Sequence, residues 1–216
     1  GGELPAGALG AQALANELQQ LSQHAQRVRA ATASPCLPPL SVALTLAVGG
    51  QSWQLAAGLA DLRPEGLVRH RADDRRPTDH LEAWLHHLVL CAAAPAGVAP
   101  VTTWLMRDGL IRLRPCAEPQ ARLAELLQLM AQGLSAPLPF FPKTCWDYMA
   151  ADRDPRAAAL RWTPSAQVPH TEGADPANRL VWRGRPDPVL QDDGRMDHAA
   201  VTVYGPLFEH LEGDAP

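Results

Sequence analysis

Lysine is almost missing from this 216-residue sequence, and arginine supplies nearly all of its 19 basic side chains. They are outnumbered by 23 acidic residues, for a formal net charge of −4. A domain that grips duplex DNA by its phosphates carries a basic surplus. Strong autonomous nucleic-acid binding is therefore not expected, although a place beside DNA in a larger assembly stays open. Aromatic residues are scarce, at 5%, so aliphatic packing must build the core. No C-x-x-C pair occurs: Cys36, Cys91, Cys116 and Cys145 lie in unrelated segments. That spacing excludes a zinc finger and reads as buried, reduced thiols of a cytosolic protein. No apolar run approaches the roughly 20 residues of a membrane span, and no secretory leader is visible, so a cytoplasmic place and no membrane partner are expected. The sequence lacks a nucleophile elbow, a phosphate loop and a dinucleotide fingerprint. No cofactor or metal is expected. There is no initiator methionine, and the opening Gly1-Gly2-Glu3-Leu4-Pro5 reads as the interior of a longer protein.

What is present is ample apolar material, 46% of residues. Gly7 to Arg29 reads as a helix, with Leu9, Leu14, Leu18, Leu21 and Val28 recurring near a 3.6 period. A Pro-rich linker over Ala33 to Pro39 follows. Leu40 to Val48 and Trp53 to Leu62 read as strands joined at Gly49-Gly50, and a turn at Arg63 to Gly66 leads into a third, Leu67 to Arg71. Together these make a three-strand meander. Thr78 and Asp79 provide an N-cap for a helix with Leu81, Trp84, Leu85, Leu88 and Val89 as its apolar stripe. Val101 to Met106 and Leu110 to Arg114 pair across Asp108-Gly109. Glu118 to Gln132 is a helix with Leu123, Leu126, Leu127 and Met130 inward, closed by Gly133. Pro137 to Lys143 is a rigid apolar connector. Helices are then expected over Thr144 to Ala151, Pro155 to Trp162 and Asp197 to Leu211, the last interrupted at Gly205-Pro206. Gln167 to Pro188 is expected to be irregular.

This order predicts an α/β (α+β) fold with a mixed sheet flanked by helices. It is also the order of the restriction-endonuclease-like, PD-(D/E)xK nucleases. Residues 1–136 would form that nuclease-like unit with an N-terminal helix, and 137–216 a helical and irregular extension packed on it, the two together amounting to one domain or nearly so. Such nucleases need a carboxylate late on one strand, then a carboxylate, one residue and a lysine on the next. The carboxylates hold Mg²⁺ or Mn²⁺, which helps generate the attacking water. Leu55 to Leu62 resembles the first motif, with Asp61 as the metal-binding aspartate. The following strand offers only Arg69, His70 and Arg71, which would repel a divalent cation and could instead face phosphate or an acidic partner. Asp61 is then a remnant of a degenerate motif, and no catalytic residue is assigned. A migrated site using Asp61 with Asp73 or Asp74 is the enzymatic alternative. His80, His86 and His87 lack the spacing of a metal pair and read as packing or surface residues. Phe140 and Phe141, adjacent in the connector, cannot both face one core along a simple helix; the plainer reading buries both between the sheet and the tail. With Lys143 and Trp146 they are candidates for meeting a partner.

Several segments together resemble the C-terminal region of the RecC-type gamma subunits of exodeoxyribonuclease V. They are Glu3 to Gly7, Gly58 to Leu62, Trp84 to Leu88, Gly133-Leu134 with Pro137 to Thr144, and Tyr204 to Leu207. The resemblance implies a nuclease-like domain without nuclease activity. Its partners would be the beta and alpha subunits of that complex, and DNA within the assembled machine, where it would help steer separated strands during break repair and recombination. A protein-interaction module that never touches DNA is the third reading, and the acidic balance suits it.

Overall fold

The computed structural model describes residues 7–213. The opening Gly1 to Pro5, and the Glu3 to Ala6 part of the first resembling segment, lie outside the described residues. A long helix, α1 (Ala8–Ala31), leads to an antiparallel hairpin of β1 (Leu40–Val48) and β2 (Gln51–Leu59). Gly49 and Gly50 both take positive φ at its tip, as a tight two-residue hairpin requires. Alternation along β1 puts Val42, Leu46 and Val48 inward.

The expected three-strand meander is not formed. The return strand stops at Leu59, three residues short of the expected end, because Asp61 adopts a left-handed conformation at φ 59°. Aspartate tolerates that region where most residues do not. The kink lifts β3 (Leu62–Arg63) out of the hairpin and into a second sheet with β4 (Gly66–His70), β5 (Thr102–Met106) and β6 (Gly109–Leu113), in the order β3-β4-β5-β6. β4 and β5 are parallel and the other pairs antiparallel, so this sheet is mixed. Gly66 is fixed by geometry. Its φ is 127°, and a Cβ there would overlap the Val101 carbonyl.

The parallel pair requires a crossover, which α2 (Pro77–Ala93) supplies. Its cap differs from expectation: Arg76 is the N-cap, Pro77 opens the helix, and Asp79 reaches back to accept the Arg76 backbone N–H at 2.8 Å. Trp84 and Leu88 of α2 enter the main core, beside Trp104, Met106 and Ile111 of the sheet. His87 is fully buried between the same layers. Its Nε2–H donates to the Arg114 carbonyl at 2.8 Å, and its Nδ1 accepts from Thr102 Oγ1 at 3.1 Å. Burial holds this ring down to about 4, so it is neutral at ordinary pH.

Downstream, α3 (Pro119–Ser135) runs through Gly133 rather than ending there. It buries Leu123 and Leu129, whereas Met130, expected inward, is 46% exposed. Then come α4 (Pro142–Ala150), α5 (Pro155–Trp162), a single 3₁₀ turn at Glu172–Ala174, α6 (Pro176–Val181) and α7 (Arg195–His210). The stretch expected to be irregular thus holds a short helix, capped by Asp175 accepting from Ala177 N–H and Asn178 N–H. α7 continues through Pro206 without a break. After it, Leu211 bridges Leu113 on the edge of β6.

α1 departs from its expected packing. Its Leu9, Leu14, Leu18 and Leu21 are exposed, and polar contacts tie it to the end of β5, where Glu17 pairs with Arg107 at 3.0 Å. There His24 Nδ1 lies 3.1 Å from the Met106 carbonyl oxygen, and Arg27 donates to the Met106 and Arg107 carbonyls. The cysteines are all free: Cys116 and Cys145 are buried, Cys91 is half-buried, and Cys36 is exposed rather than buried. Burial pushes the Cys145 thiol up to about 12, which makes it inert. Among the described residues no helix is long and apolar enough to cross a membrane.

Candidate functional site

The kink at Asp61 determines the candidate site. Val68 N–H bonds to the Asp61 carbonyl at 3.1 Å, which ties the kink to β4 and turns the Asp61 side chain toward Arg69. Arg69 lies near the end of β4, and α2 lays Glu82 and His86 alongside, four residues and so one helical turn apart. A cleft of about 280 Å³ opens here, lined by Asp61, Arg69, His70, Arg71, Glu82 and Trp104.

Arg69 is the centre of the arrangement. Its Nε is 3.6 Å from Asp61 Oδ2, and its Nη1 is 3.5 Å from Glu82 Oε1 and 3.2 Å from His86 Nδ1. That same His86 nitrogen is 2.9 Å from the Glu82 carbonyl oxygen. Burial first, and the Arg69 charge second, lower the pKa of the His86 ring. An aspartate, a glutamate and a histidine are common metal ligands, and here they surround a guanidinium. Among the described residues no three acidic, histidine or cysteine side chains are close enough together to hold an ion.

The neighbouring arginine is engaged as well. Arg71 Nη2 donates to Asp79 Oδ2 at 2.7 Å and its Cζ lies 5.8 Å over the Trp104 ring. Arg69 and Arg71 are thus both turned onto carboxylates of this chain. Asp73 and Asp74, the other carboxylates weighed for a migrated site, are engaged elsewhere. Asp74 is held by Arg107 at 2.7 Å and Asp73 by Arg76 at 2.7 Å.

Of the aromatic candidates, Phe141 is only 3% exposed and packs at a tilt against Trp162 at 4.4 Å, so it belongs to the core. Phe140 packs on Tyr204 and is half-buried, and Trp146 packs edge-on against Tyr204 and Phe208. Lys143 is exposed, and its backbone N–H donates to Glu172, which caps α4 from the 3₁₀ turn. The histidines expected to be packing or surface residues divide between the two: His80 and His87 are buried and His86 flanks Arg69. The role of Glu82 was missed from sequence. The available signal was its position one turn before His86, at the edge of the apolar stripe beside Val89.

The model for the RecC C-terminal domain matches residues 1–153. The RecBCD enzyme subunit RecC of Escherichia coli (strain K12) is 34% identical over 155 residues, covering 68% of this chain. The chain spans 13% of that relative's length.

Proposed function

Because this chain belongs to the RecC C-terminal domain family, we propose that it is a non-catalytic, nuclease-like scaffold domain of an exodeoxyribonuclease V gamma subunit. It acts in break repair and recombination, by docking against the beta and alpha subunits and by handling unwound DNA in the assembled machine. The core is read as restriction-endonuclease-like. Arg69-His70-Arg71 stands where PD-(D/E)xK enzymes place a carboxylate, one residue and a lysine, with Asp61 before it and α2 after it.

One observation carries the reading. The Arg69 guanidinium lies between Asp61 and Glu82, where a catalytic ion would have to sit. A positive charge on that spot opposes a divalent cation at short range. Residues 1–136 are read as the nuclease-like unit and 137–216 as an extension of the same core, since Phe141 and Tyr204 share one apolar cluster with Trp84 and Met106. Docking is assigned to Lys143 and the exposed parts of Phe140 and Trp146, and Phe141 is withdrawn because it is buried.

The test is incubation of duplex and single-stranded DNA with the chain and Mg²⁺ or Mn²⁺, beside co-elution with the beta and alpha subunits. No cleavage and stable co-elution are expected. Metal-dependent cutting abolished by Asp61→Ala would establish the migrated-site alternative instead. If the chain co-elutes with the subunits but its removal leaves DNA retention by the complex unchanged, it is a protein-interaction module alone. The net charge of −4 favours the interaction-module reading over the migrated site.

A further inference from the structure

A larger cavity, of about 630 Å³, lies away from the Asp61 cleft, where the N-terminus of α2, the β5–β6 turn, α4 and the segment after α7 meet. Its walls are of two kinds. Pro77, Leu110, Trp146 and Leu211 supply an apolar face, and Leu110 is 42% exposed to it although it is a large aliphatic side chain. Arg75 and Arg76 supply donors at the rim, next to the positive end of a 17-residue helix.

His80 carries the inference. It lines the cavity, is only 7% exposed, and packs at a tilt against Trp146 with ring centroids 4.4 Å apart. Among the described residues its ring makes no hydrogen bond, and Nδ1 is buried without a partner. Buried polar groups without partners are rare in folded proteins and call for an explanation. Burial, with Arg75 nearby, holds the ring down to about 4, so it presents a neutral, flat surface. The two carboxylates in the lining are already engaged. Asp108 accepts from Arg75 Nε and from the Arg75 backbone N–H, and Glu212 is paired with Arg112 at 2.8 Å. Arg75 also donates to the Leu110 carbonyl, and Arg76 to Asp73. Arg76 keeps further donors free, its side chain being 60% exposed. The cavity thus joins donors for an anion to an aromatic and aliphatic wall, and its volume suits a small ligand.

We propose that this cavity binds one nucleotide unit, with its phosphate on Arg76 and Arg75 and its base against the His80, Trp146 and Leu110 wall. Arginine for phosphate and an aromatic platform for the base is the combination that recognises unpaired nucleic acid. The nucleotide can come free or as part of a single strand. Only the strand source rests on the DNA-handling reading above.

The test is calorimetric titration of the chain with thymidine 5′-monophosphate, thymidine, inorganic phosphate, O-phosphotyrosine and a short 5′-phosphorylated oligothymidine. The monophosphate and the oligonucleotide are expected to bind at least about tenfold more tightly than thymidine or phosphate alone, since each of those lacks one of the two contacts. An oligonucleotide tighter than the monophosphate assigns the strand as source, and the reverse assigns the free nucleotide. Arg76→Glu should weaken the phosphate-bearing ligands about tenfold, and Leu110→Ala should weaken every ligand that carries the base. Both side chains are exposed, so each variant should fold, with circular dichroism as the check. Arg156→Glu, outside the cavity, is the control. Equal affinity for all five ligands, no response to either variant, or preference for phosphotyrosine overturns the proposal. DNA cleavage is measured separately, so failure here leaves the non-catalytic reading untouched, and failure there leaves this one.

Discussion

Asp79 Oδ2 accepts from Arg71 Nη2 at 2.7 Å and from the Arg76 backbone N–H at 2.8 Å. One buried oxygen therefore ends the strand segment and starts α2 at once. Asp79→Ala removes the helix cap and leaves Arg71 without its closest anion. A loss of about 2 kcal/mol is expected, read by urea denaturation, with Asp79→Asn losing less because it still caps. Equal stability of Asp79→Ala and the parent would show that the junction is held by packing alone.

Arg69→Glu reverses the charge at the centre of the cleft and places a third carboxylate beside Asp61 and Glu82. The variant should show a melting temperature that rises with added Mn²⁺, while the parent stays flat. Arg69→Ala should cost at most about 1 kcal/mol in stability, because the Asp61 partner is 56% exposed and exposed ion pairs are weak. A parent protein stabilised by Mn²⁺ would contradict the proposed non-catalytic reading.

Acid sensitivity follows from His80 and His87, both held near 4 in the fold against an ordinary value of 6.5. The unfolded chain takes up these protons first, so the stability contributed by the neutral rings is complete above pH 6.5. It falls as pH drops toward 4, by about 1.4 kcal/mol per unit for each ring. Denaturation midpoints between pH 7 and 4.5 should show this slope, and His87→Gln should flatten it. A slope unchanged by that variant would place the sensitivity elsewhere.

Gly66→Ala is expected to be severe, because the added methyl meets the Val101 carbonyl and the backbone φ is 127°. The overlap falls on the pairing of β4 with β5, where Leu67 N–H bonds Val101 at 2.9 Å. Losses above about 3 kcal/mol or failure to accumulate soluble protein are expected. A stable Gly66→Ala protein would mean that this turn can relax.

Much of the fold was legible because its signals are local. The hairpin at Gly49-Gly50, the stripe of α2 and the strands either side of Asp108-Gly109 need only nearest neighbours to be read. Two features were not legible. The left-handed turn at Asp61 splits an apparently continuous apolar strand into two sheets, a choice made by tertiary pairing with Val68 and Leu67. The leucines of α1 have a helical period, yet period alone does not say whether a surface lies opposite them. The site was half legible. Asp61 and the absence of an acid or lysine on the following strand can be seen in the sequence, but not the meeting of Arg69 with Glu82, thirteen positions apart on another element.

The guanidinium at the centre of the cleft is bonded to the chain that it serves. A positive charge held in this way cannot be chelated, diluted or exchanged for a competing ion. Its local concentration is fixed by the backbone and does not vary with magnesium or manganese supply. If one subunit of a DNA-cutting assembly must stay inert wherever the others are active, a tethered cation gives an off state that no change in metal availability can lift.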